Sequence, residues 1–394
     1  MANRMSKNVD KNVDKNTGDY LDYIESLEDM FEERSWEISQ IKYAVLIGEH
    51  ILFKGIPGTA KSMLAKTFFN GITGAKVFDT QFTRFMDESY IFGPQLLEEF
   101  KKGNIVHNLD GSIVEADFAF LDEFFNASEE LLVSTNEVLN ERTFTRQSQK
   151  AKSNLISAIM TTNQERESEK ELRAVYDRIL FKSDVKELVE QGSRISMYSK
   201  FLNKKESTAP TFKFSSLKSL IKSFNDCDIK ISEQLLVIYD SLLQSFEAET
   251  GKIISPRKKN KMLNILLASA FLSKRKEVEI DDLSELKYAL VTGGDSKGLM
   301  YFETVLKKVE RSLKDLKVFY KMKDLFKITM DKIGEVPSPE DIRTLIGLEQ
   351  KCIKILGEER SLDVGSLVTE FRKEISVTLN EVKSKITDSS LFGE

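Results

Sequence analysis

Ile51-Leu52-Phe53-Lys54-Gly55-Ile56-Pro57-Gly58-Thr59-Ala60-Lys61-Ser62-Met63 is the stretch that decides the fold. An apolar, strand-like run enters a Gly/Pro-rich turn, and Met63-Leu64-Ala65-Lys66-Thr67-Phe68-Phe69 then reads as a helix. Strand, loop and helix in that order form the setting of a phosphate-binding loop. Glycines let backbone N–H groups converge on phosphate, and the helix N-terminus adds partial positive charge. On this spacing Lys61 reaches the β- and γ-phosphates of a nucleotide, and the Ser62 hydroxyl ligates Mg²⁺. Gly55, Pro57, Gly58, Thr59, Ala60, Lys61, Ser62 and Met63 are therefore the candidate residues for binding ATP or ADP. One position departs from the generic pattern, which has glycine immediately before the lysine where this chain has Ala60.

Three later segments suit the same chemistry. Asp117-Phe118-Ala119-Phe120-Leu121-Asp122-Glu123 is a buried-strand run ending in two acids. A strand beside the loop places Asp122 on the Mg²⁺ shell with Ser62, and Glu123 against the attacking water. Leu155-Ile156-Ser157-Ala158-Ile159-Met160-Thr161-Thr162-Asn163 is a second β-rich run ending in an amide, and Asn163 there can orient water or sense the γ-phosphate. Ser255-Pro256-Arg257 opens a helix with proline in its first turn and sets a guanidinium near that start.

These elements together resemble the MoxR branch of AAA+ ATPases, and most closely its RavA-like members. The resemblance covers residues 33–293 and includes alanine before the lysine, which that branch often shows. It also includes Thr83-Arg84-Phe85 with Phe92-Gly93-Pro94, Phe120-Leu121-Asp122-Glu123-Phe124-Phe125, Leu139-Asn140-Glu141-Arg142-Thr143-Phe144, Val175-Tyr176-Asp177-Arg178, and Ser255-Pro256-Arg257 leading to Ala268-Ser269-Ala270-Phe271. It implies an ATP-hydrolysing ring motor, expected as a hexamer, that remodels protein clients and works with a partner carrying a von Willebrand A domain. Arg178 matches the position of an arginine finger supplied to a neighbouring subunit, with Arg173 the alternative; many members carry an aromatic where this chain has Ile179. An intact Glu123, Asn163 and Arg257 argue against a switch that binds ATP without turning it over.

The fold class implied is α/β: an AAA+ parallel-sheet domain (18–203), an all-α lid (211–298) and a C-terminal helical region (299–394), preceded by a disordered polar tail (1–17). The tail expectation rests on Lys7-Asn8-Val9-Asp10 and Lys11-Asn12-Val13-Asp14, a polar repeat. Alternating strand-like and helical runs over 33–200 predict a parallel sheet covered on both faces. Gly103–His107 and Ser112–Glu115 read as a β-hairpin across Asn108-Leu109-Asp110-Gly111, which in the family corresponds to a pore-facing insertion. A second hairpin is expected over 143–153, and 204–210 reads as a linker. The lid is to carry Arg257 back to the nucleotide on the α/β domain. Apolar stripes through Phe302, Leu306, Val309, Leu313, Leu316 and Tyr320, and through Phe371, Ile375, Leu379, Val382 and Ile386, predict long amphipathic helices, with a shorter one over 342–356.

Composition sets the outer bounds. The chain has 394 residues with 41% hydrophobic and 31% charged, enough for two or three domains. No apolar run reaches membrane-spanning length and the N-terminus lacks a signal-peptide core, so a cytoplasmic protein is expected. Two cysteines and two histidines (His50 and His107) have no metal-ligand spacing. A net charge of −5 gives no electrostatic footprint for nucleic acid, which weighs against a nucleic-acid motor, the rival class.

Overall fold

The computed structural model describes residues 2–147, 149–164, 172–203, 210–332, 338–356 and 362–391. Residues 204–209 of the expected linker and the side chains of Arg173, Leu313, Leu316 and Ile386 lie outside the described set. Ahead of the loop come α1 (Ala2–Met30), α2 (Ser35–Ile47) and β1 (Ile51–Lys54). After it follow α3 (Lys61–Gly71), β2 (Ile72–Thr73), β3 (Val77–Gln81), α4 (Glu88–Phe92), α5 (Leu97–Lys101) and β4 (Phe118–Asp122). Then come α6 (Glu129–Glu141), β5 (Thr143–Arg146), β6 (Gln149–Lys152), β7 (Ser157–Thr162), α7 (Arg173–Arg178) and β8 (Phe181–Asp184). The remainder is α8 (Gln191–Asn203), β9 (Phe212–Lys213), α9 (Phe214–Asn225), α10 (Glu233–Thr250), α11 (Pro256–Leu272), α12 (Lys287–Leu290), α13 (Ser296–Lys332), α14 (Pro339–Leu356) and α15 (Leu362–Leu391).

The central sheet runs β3-β4-β7-β1-β8, parallel at every pairing, with Ile51 opposite both Ile159 and Phe181. Its inner strands are buried along nearly their whole length, as strands covered by helices on both faces must be: β7 is buried at every residue and β4 at all but Asp122. Because all five strands point the same way, Lys54, Asp122 and Thr162 emerge along one edge. That edge is where open α/β sheets bind ligands.

Two compact units divide the chain: residues 1–230 with 254–299, and residues 231–253 with 300–394. In the first, α11 is capped by Ser255, whose hydroxyl accepts from Lys258 N at 3.3 Å, with Pro256 at its first position. In the second, α10 keeps Leu242, Leu243 and Phe246 buried, and Phe246 meets Phe302 of α13 at 6.4 Å between ring centroids. There Phe371 of α15 packs edge-on to Phe319 and Phe326, and Leu345, Leu348 and Cys352 of α14 are buried. The long amphipathic helices of the C-terminal stripes are thus present, and α10 shares their compact unit.

Two expectations are corrected. The polar tail is not disordered: α1 begins at Ala2, and buried Thr17 donates its hydroxyl to Val13 O at 2.8 Å. Tyr20, Tyr23, Ile24 and Leu27 anchor the helix in the core, and upstream residues extend an existing helix at far lower cost than starting one. The first hairpin does not form either. Residues 94–96 take the pairing instead, through Asn108 N to Pro94 O at 2.8 Å and Leu96 N to Val106 O at 2.8 Å. Ile113 and Val114 are both buried in the core, but the chain there forms turns and not a strand. The second hairpin does form, as β5 and β6 with Phe144 opposite Ala151.

Candidate functional site

The loop between β1 and α3 is shaped by backbone that only small residues accept. Gly55 has φ +153°, and a Cβ there would sit 2.3 Å from Val185 O. Gly58 has φ +88°. Ala60 is left-handed at φ 65°, which explains why the generic motif has glycine at this step. Lys61 Nζ folds back onto the loop, donating to Gly55 O and Ile56 O at 2.7 Å each and to Thr59 Oγ1 at 3.2 Å. Burial draws this ammonium below the ordinary lysine pKa, while Glu123 and Asp122 pull it up and Arg34 pushes it down.

The predicted acids and hydroxyl converge beside it. Ser62 Oγ donates to Asp122 Oδ1 at 3.2 Å, a hydroxyl–carboxylate pair of hard oxygens suited to Mg²⁺. Thr161, fully buried on β7, donates its hydroxyl to the same Oδ1 and accepts from Glu123 N at 3.2 Å. Glu123 sits at φ 51°, turning its side chain out of the strand line, and its Oε2 accepts from Asn163 N at 3.3 Å. One hydrogen-bonded chain therefore runs from Ser62 through Asp122, Thr161 and Glu123 to Asn163.

Two contributions had no signal in the sequence. Thr161 reads as one more β-branched residue of a strand. Arg34 reads as a lone cation before a helix, yet it is buried and its guanidinium donates to Thr59 O at 3.2 Å and Lys186 O at 2.7 Å. It thereby ties the loop to the segment after β8. Beside Gly58, Thr59 and Ala60 opens a cavity of about 580 Å³ walled by Phe31, Met63, Leu188, Met197, Tyr198 and Phe201. Its volume and apolar lining are those of a small-molecule pocket.

Arg257 and Arg178 are not brought to this edge. α11 packs antiparallel to α2: Lys261 Nζ meets Glu49 Oε2 at 2.6 Å just past the C-terminus of α2, while Ser269 meets Tyr43 two turns back. Arg257 precedes Lys261 by one turn and so lies beyond the end of α2 far from Arg34 and the loop. α2 has 13 residues, so at 1.5 Å per residue its two ends are about 20 Å apart. The expected return of Arg257 to its own loop is not met, because the contacts at Glu49 and Tyr43 fix the helix direction. Arg178, the last residue of α7, shares the far end through its carbonyl, 3.5 Å from Lys261 Nζ. Among the described residues neither guanidinium has an ion-pair partner, and Asp184 pairs with Lys54 at 3.1 Å.

His50 and His107 are structural, as read. His50 Nδ1 accepts from Ala158 N at 2.9 Å, its Nε2 lies against Leu139 O, and burial with the neighbouring Arg142 pushes its pKa well below the usual value. His107 bonds Gly93 O at 2.8 Å. Among the described residues no cluster of His, Cys, Asp and Glu forms a metal cage, and no helix is long and apolar enough to cross a membrane.

A five-stranded parallel sheet with a phosphate loop, a paired-acid strand beside it and a polar strand end next to both is the apparatus of a P-loop nucleoside triphosphatase. Comparison with known proteins makes this specific. Residues 20–220 match the MoxR domain of MoxR-vWA-beta-propeller ternary systems, and residues 230–297 match an AAA lid domain. The uncharacterized protein MJ0079 of Methanocaldococcus jannaschii is 30% identical over 372 residues, spanning 92% of this chain and 95% of that protein. A second protein of that organism, MJ0812, is 28% identical over 375 residues, spanning 93% and 91%. A solved candidate ATPase from Cytophaga hutchinsonii superposes with a TM-score of 0.61 at 19% identity, covering 77% of this chain and 98% of that one, a likeness of fold. The chain belongs to the MoxR family of AAA+ ATPases.

Proposed function

We propose that this chain hydrolyses ATP to ADP and phosphate in a Mg²⁺-dependent reaction, as one subunit of a closed ring of about six subunits of the kind AAA+ motors form. The observation that carries this is the continuous chain Ser62–Asp122–Thr161–Glu123–Asn163 laid against the Lys61 loop. The loop amides of Gly58 to Lys61 and the Lys61 ammonium take phosphate charge once the ammonium leaves the carbonyls of Gly55 and Ile56. The apolar cavity beside Ala60 takes the purine base. Ser62 and Asp122 would hold Mg²⁺, which when bound neutralises charge on the transferred phosphoryl group. Glu123 accepts the proton of the attacking water, with Asn163 orienting that water. Arg178 and Arg257 supply positive charge to the neighbouring subunit's γ-phosphate, since Lys261 joins both backbones at the end of α2 away from their own loop.

Turnover then drives remodelling of protein clients together with a von Willebrand A-domain partner, a reading supported by the ternary systems for which the matching domain is named. Two variants test the chemistry. Glu123→Gln keeps shape and hydrogen bonding, so ATP still binds by calorimetry while phosphate release collapses. Lys61→Ala loses binding itself. Turnover near wild type in Glu123→Gln would sink the assignment.

A further inference from the structure

At the end of β1 away from the loop lies a charged cluster that the proposed chemistry does not use directly. Glu49, two residues ahead of β1, is buried, and its Oε2 accepts from Lys261 Nζ at 2.6 Å. The other nearby cation, Arg142, is already committed to Gly48 O at 2.5 Å and Ile156 O at 3.0 Å. Burial pushes the Glu49 carboxyl upward and Lys261 is the largest opposing influence, so without Lys261 this group loses its chief counter-charge. Lys261 stands one helical turn after Arg257 on α11. Its ammonium also lies 3.5 Å from the carbonyl of Arg178, at a helix end where unpaired carbonyls attract cations. A single side chain thus touches the root of the strand that leads to the phosphate loop and the helix end that bears Arg178, from the helix that bears Arg257.

We propose that Lys261, anchored on Glu49, is a positioning residue that holds Arg178 and Arg257 as one rigid donor face for a neighbouring subunit's nucleotide. This rests on the trans arrangement proposed above. Neither guanidinium is pinned by an ion pair among the described residues, so their placement depends on the backbone beneath them. Lys261 is what joins those two backbones. Its own subunit's loop lies at the opposite end of β1, so the effect belongs to the donor subunit and not to the acceptor.

Mixed oligomers of full-length chains separate the two. Lys61→Ala subunits cannot bind nucleotide but offer an intact donor face; Arg178→Ala subunits bind nucleotide but offer a defective one. Mixing them restores turnover if the trans arrangement holds, and its absence in this parent mixture overturns that arrangement and the present proposal together. Lys261→Met is then added to one partner at a time. Added to the Lys61→Ala donor, it should lower the restored kcat about tenfold with KM unchanged, the scale expected from a small displacement of a reacting group. Added to the Arg178→Ala acceptor, it should leave restored turnover within about twofold. Lys261→Arg in the donor should recover most of the loss, and Glu49→Gln should reproduce it with Lys261 intact. Equal losses in both arms, or no loss in the donor arm, would overturn the proposal while leaving the parent complementation standing.

Discussion

Thr161→Val is the most direct probe of how the site is held together. Valine reproduces the shape of threonine, so the fully buried position keeps its packing and loses only the hydroxyl. That hydroxyl has two partners, Asp122 Oδ1 as acceptor and Glu123 N as donor. Leaving a buried polar group unpaired costs about 1–3 kcal/mol. Asp122 retains its bond from Ser62, so the orphaned group is mainly the Glu123 amide. Stability should therefore fall by about 1–2 kcal/mol, measured by urea unfolding. Catalysis should lose more than binding, because Thr161 touches the two acids and not the phosphate loop. If freeing Glu123 forfeits about 1.4–2.8 kcal/mol of transition-state stabilisation, kcat drops roughly 10- to 100-fold. Nucleotide affinity, read by titration of a fluorescent ATP analogue, should stay near wild type. Thr161→Ser restores the hydroxyl and should recover most of the activity. A folded Thr161→Val protein with kcat within about twofold of wild type would refute the idea that this hydroxyl aligns the acids.

Three further outcomes follow from other parts of the structure. His50 is held neutral by burial, so the unfolded chain takes up a proton near the usual pKa of 6.5 that the folded chain refuses. Its contribution to stability is complete above about pH 6.5 and is lost by about 1.4 kcal/mol per pH unit below it, a slope that unfolding curves should find reduced in His50→Gln. Arg257→Ala should leave ATP affinity nearly intact and lower turnover, and mixing with Lys61→Ala subunits should restore it; a loss of affinity in isolated subunits would return Arg257 to its own loop. Truncation after Gly298 removes Phe302 from Phe246, so the shortened chain should bind a hydrophobic dye through α10, and unchanged dye fluorescence would contradict the packing of that helix.

What was legible in the sequence was local. Gly55, Gly58 and the apolar run before them announce a strand and a turn within a dozen residues, and the two acids announce the end of β4 in the same way. Thr161 and Arg34 were not legible, since their roles come from partners far along the chain: Asp122 for one, Thr59 and Lys186 for the other. The first hairpin is absent because the apolar pattern of Ile113 and Val114 suits a turn buried in the core as well as a strand. Both are drawn into the core, and residues 94–96 supply the backbone partners instead. The polar repeat reads as disordered by composition, yet a helix anchored at Tyr20 runs back through it. Most consequential was the direction of α11. Its amphipathic pattern shows that it packs but not which end of α2 its first turn meets, and only the contacts of Lys261 and Ser269 fix that.

That direction bears on assembly. On the proposed chemistry each subunit offers two unlike patches: a loop edge carrying Lys61, Ser62, Asp122 and Glu123, and a donor end carrying Arg178 and Arg257. They lie toward opposite ends of α2, which are about 20 Å apart. Contact of a loop edge with a neighbour's donor end is head to tail, and such contact, repeated with a rotation that closes, generates the ring proposed above. Each subunit then receives its positive charge from one neighbour and gives its own to the other. Through Lys261 and Glu49, the root of the strand that leads to one subunit's phosphate loop is the anchor for what it offers the next. A shift in the loop-bearing strand on hydrolysis has a direct mechanical route to the adjoining site, and ATP turnover in such a ring need not be independent from subunit to subunit.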